Sequence, residues 1–164
     1  MAITMGAVEV RDPSERAFAV AYREFAVSTG LLTIGGTSET PVIFVTNPSS
    51  NVNFLVSLLR KVLAQTVGHT ALFNFYANPT VSANGTALTP VNKRVDSGAP
   101  ASSMLAYKSP TVSANGSLIG SLMCGNASVM ESSPLALNPN QSLLVTVQVS
   151  NASDKVQVDL EYHE

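Results

Sequence analysis

A seven-residue phrase occurs twice in this chain, and it constrains the fold more than any other feature. Pro79-Thr80-Val81-Ser82-Ala83-Asn84-Gly85 returns as Pro110-Thr111-Val112-Ser113-Ala114-Asn115-Gly116, a spacing of 110 − 79 = 31 residues. Each copy is entered through a polar residue and a proline, Asn78-Pro79 and Ser109-Pro110. Each leaves through Asn-Gly into a small hydroxyl residue and then apolar sequence. Asn-Gly tolerates positive φ at both positions, as the tight primed turns of β-hairpins require. Each copy therefore reads as a hairpin, with Thr80-Val81 against Thr86-Ala87-Leu88 in the first. Two copies are too few for a solenoid, so the repeat reads as two equivalent hairpin-bearing segments of one domain.

The rest of the chain carries the alternating pattern of short strands. In residues 17–28, Phe18, Val20 and Tyr22 alternate with alanines, and Phe25 and Val27 continue on the other parity, which predicts a bulge near Arg23-Glu24. Short strands follow at 31–34 and 41–46, the second stopped by Asn47-Pro48. Residues 52–67 fit two periods. Leu55, Leu58, Leu59, Val62 and Leu63 lie at helical spacing, whereas Phe54, Val56, Leu58, Arg60, Val62 and Ala64 share one face of a strand. Because the neighbours on both sides are strands, and sequential strands tend to pair, a strand is expected. Further strands are expected at 71–76, 104–108, 118–123 and 143–149, with a turn at 125–128 and apolar residues at 135–137 before the next turn. In the last strand Val156, Val158, Leu160 and Tyr162 face one way, and Lys155, Gln157, Asp159 and Glu161 face the other. About ten short strands with frequent turn signals predict an all-β protein, a single jelly-roll-like β-sandwich over 17–164. Residues 1–16, with Glu9, Arg11, Asp12, Glu15 and Arg16 clustered, read as an N-terminal arm or a frayed terminus.

Only 12% of the chain is charged, about half the usual fraction. A surface this poor in charge favours a protein covered by partners over a soluble monomer decorated with Ser, Thr and Asn. The net charge of −2 argues against nucleic acid as a partner. The basic pairs Arg60-Lys61 and Lys93-Arg94 read as solvated positions. Cys124 is the single cysteine, so it reads as a small core residue outside any disulfide. No basic-then-apolar leader opens the sequence, and no apolar run approaches the ~18 residues of a membrane span. A reducing cytoplasm, or a particle assembled there, is the expected setting. Asn84, Asn115, Asn126, Asn140 and Asn151 each fit Asn-X-Ser/Thr, and here they read as turn residues.

No motif carries chemistry. His69 and His163 are the only histidines, and neither stands at metal-ligand spacing from Cys, Asp or Glu. No nucleophile elbow and no phosphate loop appear. Asp159 and Glu161 share a strand face, which imitates a carboxylate pair, although a solvated face explains them better. The expectation is therefore a chain that is not an enzyme, with no catalytic, cofactor-binding or metal residues and no cofactor.

Several phrases together resemble a group of small structural proteins of tailed bacteriophages. They are Val45-Thr46-Asn47-Pro48-Ser49-Ser50, Phe75-Tyr76-Ala77-Asn78-Pro79-Thr80-Val81, Gly85-Thr86-Ala87-Leu88-Thr89-Pro90-Val91-Asn92, Ser109-Pro110-Thr111-Val112 and Leu137-Asn138-Pro139-Asn140-Gln141-Ser142-Leu143-Leu144-Val145, spanning roughly residues 40–162. The resemblance implies a virion protein, a jelly-roll-like sandwich forming a homotrimer that decorates or cements the capsid against the major capsid protein. The alternative it leaves is a tail- or head-fibre module that binds a receptor or glycan. It supplies no catalytic residues. The N-terminal arm and the Asn-Gly hairpin tips are the expected points of contact with neighbouring subunits.

Overall fold

The computed structural model describes residues 24–48, 54–64, 68–93, 101–125 and 128–164, with the backbone alone for 54–64 and 128–134. Two antiparallel sheets pack face to face. The first contains β1 (Glu24–Ser28), β2 (Leu32–Thr33), β4 (Phe54–Ala64), β8 (Val91–Asn92), β12 (Ser128–Leu137) and β14 (Lys155–His163), in the order β12-β4-β14-β1-β8, with β2 also on β14. The second contains β3 (Thr40–Thr46), β5 (Ala71–Ala77), β7 (Thr86–Leu88), β9 (Leu105–Lys108), β11 (Ser117–Cys124) and β13 (Ser142–Val149), in the order β11-β5-β13-β3-β9-β7. A separate two-stranded ribbon pairs β6 (Thr80–Ala83) with β10 (Thr111–Ala114). The long strands β3, β4, β5 and again β11, β12, β13, β14 alternate between the sheets, so the chain wraps a common core in jelly-roll fashion.

The core lies where the alternating pattern puts it. Val156, Val158, Leu160 and Tyr162 of β14 are fully buried, and Phe25 and Val27 of β1 join them. Facing them are Leu143, Val145 and Val147 of β13 and Phe73 and Phe75 of β5. Tyr162 stacks on Phe25 with ring centroids 5.5 Å apart. Thr29 bridges the break between β1 and β2. Its backbone N–H donates to the Val158 carbonyl, and its Oγ1 accepts from the Val158 N–H, both at 3.0 Å. Asn47 closes β3 in the same way, donating from Nδ2 to the Leu137 carbonyl at 3.0 Å.

The ambiguous segment is a strand. β4 runs between β12 and β14 and pairs with both, and two ladders of cross-strand bonds outweigh its helix-favouring residues. The strand at 128–137 is longer than the apolar residues 135–137 indicate. It forms a sheet edge, where Pro134, opposite Ser57, costs no ladder bond that a central strand would need. The expected bulge near Arg23 and the 1–16 arm lie outside the described residues. Fourteen strands, rather than about ten, appear among the described residues because several are only two to four residues long.

The repeated phrase departs most from expectation. Neither copy is a hairpin: β6 pairs with β10, the other copy, and β7 and β11 join the second sheet against β9 and β5. A primed turn needs positive φ at both central residues. Here Gly85 and Gly116 have φ of 84° and 89°, while Asn84 and Asn115 are not in that region. The corners before the prolines supply the other reversal, with Asn78 at φ 52° and Ser109 at φ 51°. The sheet order β11-β5-β13-β3-β9-β7 reads the same from either end once each strand is exchanged for its repeat counterpart. The second sheet thus has a local two-fold axis between β13 and β3.

To pass from β5 to β7, β6 must cross β13, β3 and β9, roughly 19 Å at ~4.8 Å per strand, which seven extended residues can span. The inner face is filled by the core, so β6 and β10 cross the outer face as a pair of straps. Beneath them one register row runs Leu118, Tyr76, Leu144, Phe44, Tyr107, Ala87. Leu144 and Phe44 are buried, although they face away from the main core, and Phe44 stacks on Tyr107 at 6.1 Å. The half-buried Val81 and Val112 pair across the ribbon above this row.

Candidate assembly surface

The local two-fold provides an internal comparison between the two outer edges of the second sheet. On one edge β7 has three residues and is followed by Thr89-Pro90. On the other, β11 has eight residues, Ser117 to Cys124, with no proline and no charge. The chain carries no charged residue at all from Ser109 to Met130. Along this edge, free among the described residues, Leu118 is 57% exposed, Ile119 42% and Met123 65%. A register shift between Leu118 and Gly120 places Ile119 at a bulge.

Natural sheets blunt their edges with lysine, proline or very short strands, because unpaired backbone N–H and C=O groups invite another strand. β7 uses two of these devices and β11 uses only the bulge. Beside β11 the outer face offers Leu72 of β5, which with Met123, Thr70, Gln148, Val149 and Ser150 lines a shallow groove. Further along, Ser121 Oγ donates to Asn74 Oδ1 at 2.7 Å, and the Asn74 amide donates to Glu39 at 2.9 Å. Glu39 also accepts from Tyr76 at 2.9 Å, from Asn115 at 3.5 Å and from the Thr146 hydroxyl. Desolvation pushes the Glu39 carboxyl up, but the donors Thr146, Asn74 and Tyr76 together outweigh it and hold the carboxyl below its ordinary value. Glu39 thus ties the first strap's base to the end of the second.

The residues singled out from sequence are spread over the molecule. His69 Nδ1 lies 2.7 Å from Asp154 Oδ1, and Asn151 Nδ2 lies 2.8 Å from His69 Nε2, a clasp between the loops before β5 and before β14. Asp159 accepts from Gln157 at 3.0 Å. Glu161 is held by Lys93, which also reaches Glu24 at 2.6 Å, and the two carboxylates keep the Lys93 ammonium above its usual range despite desolvation. His163 stands on the last strand opposite Glu24. Cys124 is buried at the end of β11. The side chains of Arg60, Lys61 and Arg94 lie outside the described ones.

The Asn-Gly segments are not the hairpin tips expected from sequence, although Asn84, Gly85 and Gly116 are exposed. Gly85 packs on the Lys108-Ser109 corner and Gly116 on the Ala77-Asn78 corner of the same chain. Sequence reasoning missed the edge formed by Leu118, Ile119 and Met123. Its signal was present, however, in the contrast between Pro90 after one copy and an uncharged eight-residue run after the other.

No protein-family model matches the chain, and no curated protein matches it in sequence. Among solved structures it is similar to a chain of "Israeli acute paralysis virus heated to 63 degree - full particle". The identity is 10% and the TM-score 0.27, covering 100% of this chain and 74% of that one. A likeness at that TM-score carries no argument about fold or role.

Proposed function

We propose that this chain is a non-enzymatic structural protein of a virus particle, one that decorates or cements a capsid through subunit–subunit contacts. The observation that carries the reading is the long, uncharged edge of β11, unpartnered among the described residues, with Leu118, Ile119 and Met123 exposed on it. A strand edge of this kind is a template for association. The low charge of the whole chain and the double-covered second sheet, a stiff plate strapped on its outer face, suit a building block better than a catalyst. The resemblance of residues 40–162 to tailed-bacteriophage structural proteins gives the particle its class. The partners on this reading are further copies of the chain, as a homotrimer, and the major capsid protein.

The test is the copy number of the chain in purified particles, by quantitative mass spectrometry against the major capsid protein. Copies comparable in number to the capsid subunits are expected. A few dozen copies per particle would move the protein to the tail, portal or fibres. Its absence from particles would overturn the reading.

A further inference from the structure

Among the described residues no strand lies beyond β11, and the sequence before Glu24 carries a suitable strand pattern. Residues 17–22, Ala-Phe-Ala-Val-Ala-Tyr, alternate large and small apolar residues and bear no charge. With Arg23 they make a seven-residue strand pattern, against an eight-residue edge in β11. The charged cluster Glu9 to Arg16 stops just short of it, so the uncharged part of the segment matches the uncharged part of the edge.

Arg23 is bonded directly to Glu24, and Glu24 is fixed opposite His163 in the first sheet. A seven-residue strand along β11 of the same copy would leave no residue for the crossing. β11 lies in the other sheet, where it approaches β4, and β4 stands two strands from β1, roughly 10 Å away at ~4.8 Å per strand. The donor segment and the acceptor edge thus belong to different sheets of one sandwich. That arrangement makes a head-to-tail contact, which closes into a ring when the rotation permits.

We propose that residues 17–23 of one copy add as an edge strand to β11 of a neighbouring copy, so that Phe18, Val20 and Tyr22 cover the apolar surface around Leu118 and Met123. The proposal rests on the reading of β11 as the assembly edge, and it names the occupant. Three copies linked in this way give the homotrimer.

The experiment uses the full chain and two variants, V20P and the double variant L118K/M123K. V20P removes a backbone donor and blocks strand addition. Leu118 and Met123 are both exposed, so L118K/M123K adds charge without touching the core. By light scattering at about 100 µM, wild type is expected to be a closed oligomer. Each variant alone should be monomeric, with association weakened about 30-fold or more. Mixed, the two variants should form a one-to-one heterodimer that grows no further. The arm of L118K/M123K is intact and the edge of V20P is intact, and their pairing also shows that both variants fold.

A monomeric wild type would overturn the proposal. So would assembly that survives both variants, or a mixture that gives no heterodimer. Assembly lost in L118K/M123K but kept in V20P would put another occupant on β11, such as a second copy's β11, and overturn the arm. These outcomes are separable from the particle measurement. A monomer abundant on particles would sink the arm exchange and leave the virion reading standing.

Discussion

Gly116 lies against the backbone of Ala77 so closely that a side chain has no room. A Cβ there would collide with the Ala77 carbonyl oxygen and lie 2.9 Å from the carbonyl carbon of Asn78. Thirty-one residues earlier, Gly85 bears the same relation to Lys108 and Ser109, where a Cβ would lie 2.8 Å from the Ser109 carbonyl carbon. Each copy of the repeat is locked against the corner that precedes the proline of the other. The corners are themselves pinned. Asn78 exchanges hydrogen bonds with Ser142 of β13, at 2.9 and 3.1 Å, and the Ser109 N–H donates to the Val42 carbonyl of β3 at 3.0 Å.

Gly116→Ala and Gly85→Ala should each therefore destabilise the fold. Positive φ costs an L residue about 1–2 kcal/mol, and the contact is with backbone that cannot rotate away. A loss of about 2–4 kcal/mol each is expected by urea denaturation. Control substitutions at Gly35 and Gly36, where a Cβ meets nothing within 4 Å, should cost little. Equal effects at all four sites would refute the locked corner.

The straps also imply a second apolar layer outside the main core. Leu144 is fully buried yet faces away from the residues that surround Val145. Truncation of a leucine on an uncovered outer face would be nearly neutral. Beneath the ribbon, Leu144→Ala should cost about 2–5 kcal/mol, as in a core. A thermal melt within a degree or two of wild type would mean that the straps do not seal the row.

Much of the sandwich was legible in the sequence because its strands carry a two-residue period. Val156, Val158, Leu160 and Tyr162 are all buried on the face they were assigned. Residues 54–64 form a strand although their leucines suit a helix equally well, and only the preference of strands for strand neighbours decided it. Register between distant segments was not legible. Asn-Gly is a local hairpin signal, and nothing local in Pro79–Gly85 says that its partner lies 31 residues on. The identity of the two phrases was the clue, since two copies that pair with each other around a two-fold axis see the same environment. The β11 edge was hidden for a different reason. Leu118, Ile119 and Met123 look like any strand until the topology shows that, among the described residues, only β5 flanks them.

The end of β14 offers a narrower test. The Tyr162 ring is buried against Phe25, and its hydroxyl lies 2.6 Å from Ser102 Oγ. Burial pushes the Tyr162 phenol far above its ordinary range, so it stays protonated. Tyr162→Phe keeps the stack and removes one hydrogen bond, for an expected loss of about 1 kcal/mol. Phe25→Ala removes the stack itself and should cost about 3–5 kcal/mol. If the two losses were equal by denaturant titration, the hydroxyl rather than the ring would be the anchor.

Glu39 gives the pH dependence. Burial raises its pKa, and the hydrogen bonds from Thr146, Asn74 and Tyr76 lower it by more, so the folded-state value lies below the ordinary 4.5. For a carboxylate lowered on folding, the contribution to stability is fully present above the unfolded pKa and disappears as pH falls through the folded one. Wild type should accordingly be more stable than Glu39→Gln at pH 7. The gap should stay constant down to about pH 5, and it should close as the solution is acidified below the ordinary value of 4.5. The side chain is largely exposed, which limits the gap to under about 1 kcal/mol. Urea midpoints of the two proteins at neutral pH, at pH 5 and below pH 4 check this directly. A gap that persists unchanged at the lowest pH would mean that the Glu39 charge does not hold the straps to β13.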